Sequence, residues 1–443
     1  MILTFRKKRE KARWLKDRVW FRLAETFVLL LLLVLPVVYN KFRFTAAFGL
    51  VLIRLLIAEI VYLAGRKKAE GTKRAAGLIV SCVLSVILIG GALMPAFIFT
   101  GYHGLQTTGD YAVKEMDVIL VDASRLDTFE NDGSYREVPV HFYYPDMDSV
   151  DGDGREGTFP LILFSHGAFG YYQSNSSTYL ELASHGYVVV SLDHPHHAFF
   201  SKDTDGKVVI VDQGVIQGAV DVTNGVITGR EAYDLTHEWL NLRVEDQNYV
   251  LDTIEEAKNR RVLSDGWYLG KASEPEVLAI LSIMDTERIG LMGHSLGGAT
   301  SVAVGRQRDD IDAVIDIDGT MFGEETAYND GDIQYEDSPY PIPVLEFQNE
   351  SSHNEVVKML NDGYSYSNRV LMEHAVDGRT VMIHGTEHMD YTDLPLFSPV
   401  LGGMLGSGER DTAECMSITN SVILQFYDYY LKGSGELSIQ EDY

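Results

Sequence analysis

The 443-residue sequence predicts an α/β fold, a mostly parallel central sheet covered by helices on both faces, preceded by three membrane-spanning helices. Three observations predict it. Short apolar runs alternate with stretches of helical period through the later part of the chain, the pattern of parallel strands buried on both faces. One such run leads through a glycine-flanked serine directly into a small-residue helix. Ahead of them, the first 100 residues are dominated by three long apolar stretches. A chain of this length exceeds one ordinary domain, so at least two units are expected.

The charge is divided in the same way. Residues 1–100 hold 17 Lys and Arg against 5 Asp and Glu, whereas the remainder holds 20 against 59. A basic, apolar head on an acidic body suits a membrane anchor carrying a soluble domain. The acidic body argues against nucleic acid as a partner, because binding phosphate needs a basic surface. The spans are expected at about 23–40, 44–65 and 75–100. At ~1.5 Å per residue, the first just crosses a hydrocarbon core of ~30 Å. No small-x-small cleavage site follows it, so it reads as a retained helix rather than a signal peptide. Lys and Arg crowd the tail and the second connector (Arg66, Lys67, Lys68, Lys73, Arg74), while the first connector holds only Lys41 and Arg43. Positive residues stay inside, which places the tail in the cytoplasm and residues 101–443 outside the cell, as the extracytoplasmic domain of a multi-pass membrane protein. Arg54 and Glu59 lie within the second span at a spacing that sets them on different helix faces, so partial pairing within the bundle is expected. Cys82 and Cys415 are too differently placed for a disulfide, and no zinc-type spacing occurs; neither a metal nor a cofactor is expected.

In the body, strands are expected at Tyr111–Ala123, Arg136–Tyr144, Phe159–Phe164, Tyr187–Leu192, Ile289–Met292, Ala313–Ile317, Ile342–Phe347 and Arg379–His384. Asp146–Glu156 loosely resembles a calcium loop, but its acidic residues are out of register and a solvated turn is expected. Residues 201–285 read as an insertion or lid, with a helix at Trp239–Lys258 whose apolar side carries Leu240, Leu242, Val250, Leu251 and Ile254. An amphipathic helix at Ile418–Lys432 closes the chain.

The chemistry is concentrated at Gly293-His294-Ser295-Leu296-Gly297. A strand, a sharp turn and a helix around G-x-S-x-G make the nucleophile elbow of an α/β-hydrolase, which pushes Ser295 out at the carboxyl end of the strand. A serine hydroxyl needs a base, an acid to orient that base, and donors for the oxyanion. In this fold the order is Ser, then Asp or Glu, then His, each on a loop after a strand. The base is thus one of His353, His374, His384 and His388. His384 falls within a strand run and His353 and His374 in helical or loop segments, so His388, directly after the last strand, is assigned as base. Among Asp312, Asp316 and Asp318, the last sits at a strand end before Gly319 and is assigned as acid. The oxyanion donors are expected to be the backbone N–H groups of Leu296 and Ala168, with Gly167 next in line. His166 shapes that loop, His294 is structural within the elbow, and Asp193 and His194 are candidates to line the pocket.

Phe164-Ser-His-Gly167, Leu182-Ala-Ser-His-Gly-Tyr-Val188, Gly293-His-Ser-Leu-Gly-Gly-Ala299, Ile317-Asp-Gly319 and Gly385-Thr-Glu-His388 with Asp393-Leu394 together resemble the platelet-activating factor acetylhydrolase family of α/β-hydrolases, over roughly residues 110–435. The resemblance implies a Ser295–Asp318–His388 triad, donors at Ala168 and Leu296, no metal, and cleavage of short acyl esters at the second position of glycerophospholipids. The long 201–285 stretch and the anchor depart from the plasma-type pattern. Dienelactone-hydrolase-like carboxylesterases and polyester hydrolases, acting on non-lipid esters, share such elbows. A catalytically silent membrane receptor or scaffold is a further alternative, against which the full Ser, Asp and His set stands. The expected function is therefore a membrane-anchored serine esterase acting on a lipid or small-molecule ester.

Overall fold

The computed structural model describes residues 10–67, 71, 75–102, 104–149, 157–329 and 331–443. The basic tail up to Arg9, Lys68, Lys73 and Arg74 of the second connector, and 150–156 of the calcium-like loop lie outside the described residues. The chain divides into two compact units, one of Met1–Gly104 with Leu394–Met404, the other of Leu105–Asp393 with Leu405–Tyr443.

The first unit contains helices α1 (Lys11–Val34), α2 (Thr45–Gly65) and α3 (Ala75–Ala92). They correct the expectation of three spans. The span expected at 23–40 is not one helix: α1 begins well before it and ends at Val34, because Leu35 precedes Pro36 and turns extended, with ψ 128°. α1 also carries Asp17, Arg18, Arg22 and Glu25. The stretch expected at 75–100 breaks after Ala92 and resumes as Met94–Ile98 with a proline in its first turn. Among the described residues, only Lys41–Gly65 is both long and apolar enough to cross a bilayer, with mean hydropathy 2.2; Ile79–Ala92 is apolar but shorter. Arg54 donates to Ser85 on α3 rather than pairing with Glu59. The unit also takes in Leu394–Met404, so the expected body at 101–443 is not continuous. There Thr100 N donates to Phe397 O at 2.9 Å, and the Ser398 hydroxyl to Ile98 O at 2.7 Å. The rings of Phe42, Phe99 and Phe397 lie 5.1–5.8 Å apart.

The second unit is built on a nine-stranded sheet. In chain order the strands are β1 (Val113–Leu126), β2 (Tyr135–Pro145), β3 (Phe159–Ser165), β4 (Val188–Leu192), β5 (Trp267–Tyr268), β6 (Met284–His294), β7 (Ala313–Ile317), β8 (Val344–Asn349) and β9 (Gly378–Ile383). Their spatial order is β9-β8-β7-β6-β3-β4-β2-β1-β5. The six strands from β9 to β4 are parallel, and β2, β1 and β5 extend the sheet antiparallel. Along β3, Leu161 and Leu163 enter one apolar core while Ile162 and Phe164 enter the other. This two-residue period explains why the run is apolar throughout: both faces are covered. Each such side chain contributes about 1.5–3 kcal/mol when fully buried.

The 201–285 stretch is only partly an insertion. It starts with a hairpin, Phe200–Lys202 paired with Val208–Ile210, and a helix, Gln213–Thr223. The next helix, α4 (Gly229–Arg260), belongs to the core, burying Leu240, Val244, Val250, Leu251 and Ile254. β5 then joins the sheet edge beside β1. This corrects the reading of the whole segment as a lid. Helix α5 (Leu296–Gln307) follows β6, and α6 (Thr412–Tyr430) closes the unit. α6 starts earlier than the expected Ile418 because Asp411 caps it, its carboxylate accepting from Glu414 N at 3.0 Å.

Candidate active site

The site is assembled from the carboxyl ends of β3, β6, β7, β8 and β9. At the end of β6, Ser295 has φ 56° and ψ −127°, a conformation that an L-residue rarely adopts. Its N–H donates to Ile317 O at 2.8 Å, which pins the strained turn to β7. The turn requires glycine on both sides. A Cβ on Gly293 would overlap the backbone of Gly297, and one on Gly297 would overlap Ser165 O. Ser295 is thereby half-exposed at the start of α5. Its hydroxyl makes no hydrogen bond among the described residues.

Asp318, one residue beyond β7, is likewise left-handed, with φ 56°. Its N–H donates to Phe347 O at 2.9 Å. Its carboxylate accepts from Asn349 N at 2.8 Å, from Asn349 Nδ2 at 2.7 Å and from His388 Nδ1 at 2.6 Å. Burial alone would raise its pKa, but the bond and charge of His388 and the two bonds from Asn349 outweigh it, holding Asp318 below the usual carboxylate range. A carboxylate only accepts, so His388 Nδ1 carries the hydrogen and Nε2 is left as an acceptor. The Asp318 side chain is 3% exposed and that of His388 41%.

The other candidate bases do not join them. His353 binds Gln348 Oε1 at 2.8 Å, and His374 ends the helix Ser367–His374. His384 departs from the expectation of a packed strand residue: β9 ends at Ile383, and His384 is exposed beside Glu350, 3.4 Å away. Asp316 lies inside β7, fully buried, accepting from Gly319 N at 3.1 Å. Asp312 accepts from Ile289 N at 2.8 Å at the start of β7.

His294 lies under His388, ring centroids 4.5 Å apart, and its Nε2 donates to His388 O at 3.2 Å. Burial, then the charge of His388, depress its pKa to about 3, so it stays neutral. Gly167 closes the opposite side of the site: a Cβ there would stand 3.1 Å from Ser295 Cβ and 2.8 Å from His294 Nδ1. Ala168, next in the loop, has a backbone N–H with no hydrogen bond among the described residues. Leu296 N–H, at the first position of α5, has no intrahelical acceptor. His166 and His194 are fully buried beneath the loop, and Asp193 is 2% exposed. The expectation that Asp193 and His194 line the pocket is corrected. Asp193 accepts from Tyr172 N at 2.7 Å and faces His141, while His194 bridges Ser165 Oγ at 2.8 Å and Asp246 at 2.9 Å.

Sequence reading missed Asn349, the residue that fixes both carboxylate oxygens of Asp318. Its signal was its place at the end of the apolar Ile342–Phe347 run, the same register that made Asp318 a candidate. It also missed Arg243 and Asp246, polar residues on the buried face of α4.

The family model described as "Platelet-activating factor acetylhydrolase, isoform II" matches residues 151–438. The platelet-activating factor acetylhydrolase of Bos taurus is 23% identical over 282 residues, which covers 62% of this chain and 57% of that enzyme. That of Gallus gallus is 24% identical over 290 residues, 62% of each. The chain thus spans less than two thirds of the length of these relatives. The solved structure of a ferulic acid esterase from Streptomyces cinnamoneus aligns with a TM-score of 0.54 at 21% identity, over 76% of this chain and 95% of that one, and shares its fold.

The packing at the elbow gives a direct expectation. Gly297→Ala forces a methyl group into Ser165 O and is expected to cost at least about 1–3 kcal/mol of stability. Ser295→Ala is expected to stay within about 0.5 kcal/mol. Thermal melting of the two variants checks this; a Gly297→Ala protein that melts with the wild type contradicts the packing described.

Proposed function

Because the chain belongs to the platelet-activating factor acetylhydrolase, isoform II family, we propose that it is a serine ester hydrolase whose triad is Ser295, His388 and Asp318. The observation that carries the reading is the 2.6 Å His388–Asp318 hydrogen bond, made between the loops after β9 and β7, with the strained, half-exposed Ser295 at the end of β6. Ser295 Oγ attacks the ester carbonyl while His388 Nε2 takes its proton. Asp318 keeps His388 in the tautomer that leaves Nε2 free, and stabilises the imidazolium. The N–H groups of Ala168 and Leu296 receive the developing oxyanion. His388 then protonates the leaving alcohol, and water, deprotonated by the same histidine, releases the acid from Ser295.

The proposed substrate is a short acyl ester at the second position of a glycerophospholipid, supported by the family match and the named relatives. The proposed setting is a membrane. Lys41–Gly65 supports one crossing.

Hydrolysis of a 2-acetyl glycerophosphocholine, compared with p-nitrophenyl acetate and butyrate, tests the substrate. Turnover of the phospholipid is expected, falling by at least about 10⁴-fold in Ser295→Ala. Turnover of the p-nitrophenyl esters alone would move the substrate to non-lipid esters, and no turnover of any would contradict the reading. Alkaline carbonate extraction of cell membranes is expected to leave the full chain in the pellet. Release into the supernatant contradicts the crossing.

A further inference from the structure

Arg243 is fully buried on α4, yet all three of its hydrogen bonds end on groups around one loop. Nη1 donates to His166 O at 2.5 Å, Nη2 to Gly167 O at 3.4 Å, and Nε to His197 Nδ1 at 3.2 Å. His197 in turn holds the loop from its other end, its carbonyl accepting from Phe169 N at 3.2 Å. Phe169 is left-handed, with φ 61°.

Gly167 O receives two further donors, His166 Nδ1 at 2.7 Å and Gly170 N at 3.0 Å. The first is set by the surroundings. A carbonyl only accepts, so His166 Nδ1 carries the hydrogen and its Nε2 accepts from His194 N at 3.2 Å. His194 is itself held by Asp246, one turn along α4 from Arg243. Asp246 is balanced by Arg136, at 2.8 Å, and Arg125, at 2.9 Å.

The Gly167–Ala168 peptide is planar and trans, so its C=O and N–H point in opposite directions. Fixing Gly167 O on the Arg243 side aims Ala168 N–H away from α4. A buried guanidinium is costly, and an apolar residue of similar volume would serve packing alone equally well. Its bonds to the loop carbonyls are what an apolar residue cannot supply.

We propose that Arg243 is a positioning residue that orients Ala168 N–H as an oxyanion donor, an inference that rests on the serine-hydrolase reading above. The test uses the full chain and the variants Arg243→Met and Arg243→Lys, with Arg260→Met, an exposed arginine on the same helix, as control. Measured are kcat and KM on p-nitrophenyl acetate and Ki for a trifluoromethyl ketone, whose adduct carries the oxyanion. Arg243→Met is expected to lower kcat by about 10²–10³-fold, the usual loss for one oxyanion donor, with KM changed by less than about threefold. Ki should rise by the same factor as kcat/KM falls. Arg243→Lys, which keeps the charge but not the fork, should show the same parallel change at roughly tenfold, and decides the matter if the methionine variant does not fold. A kcat within about threefold of wild type in the folded variants, or a kcat loss without a matching rise in Ki, overturns the inference. Wild-type protein that hydrolyses no ester overturns the hydrolase reading and this inference with it.

Discussion

The conformation of Ser295 is the constraint on which the rest of the site depends. An L-residue at φ 56° and ψ −127° is held only if its surroundings over-determine it. Three features do so: Gly293 and Gly297, where no Cβ fits, and the bond from Ser295 N to Ile317 O. That bond ties the nucleophile's turn to β7, whose next residue is Asp318. The same strand pairing that buries the core therefore sets the distance between the elbow and the acid loop. β8 adds Asn349 and β9 leads to His388, so adjacent parallel strands supply the site in spatial order.

Beneath the oxyanion loop the protein keeps an unusual density of buried polar groups. His166, His194, Arg243 and Asp246 are all fully buried. Burial depresses the pKa of His194 to about 4 and that of His197 to about 2, in both cases helped by the Arg243 charge, so both rings are neutral. Asp246 remains a carboxylate because Arg136 and His194 outweigh its burial. Each ring has one donor and one acceptor nitrogen assigned by its partners, which gives the network a single arrangement. The loop that faces Ser295 is therefore backed by a layer with few alternatives.

Much of this was legible in the chain. The apolar runs gave the strands because both faces of the sheet are covered, and the glycines around Ser295 gave the elbow because no other residue fits there. The choice of Asp318 over Asp316 followed from position at a strand end, and the structure brings Asp318 and His388 together while leaving His353, His374 and His384 elsewhere. Apolar counting failed where charge or proline interrupts. It joined Leu23–Asn40 across Pro36 and passed over Glu25 within that stretch. It also assigned Leu242 to the apolar face of α4, whereas Arg243 is the residue buried, since a helical period does not tell a paired buried arginine from a solvated one. The Leu394–Met404 segment could not be placed with the first unit because its partners, Ile98 to Thr100, are distant in sequence.

The central claim is that Ser295 is the activated nucleophile. Reaction of the folded full chain with a fluorophosphonate probe, followed by peptide mapping of the adduct, tests it most directly. The account predicts one adduct per chain, on Ser295, absent from Ser295→Ala and strongly slowed in His388→Ala. A folded wild-type protein that takes no label, or takes it on another residue with Ser295 unmodified, would contradict it.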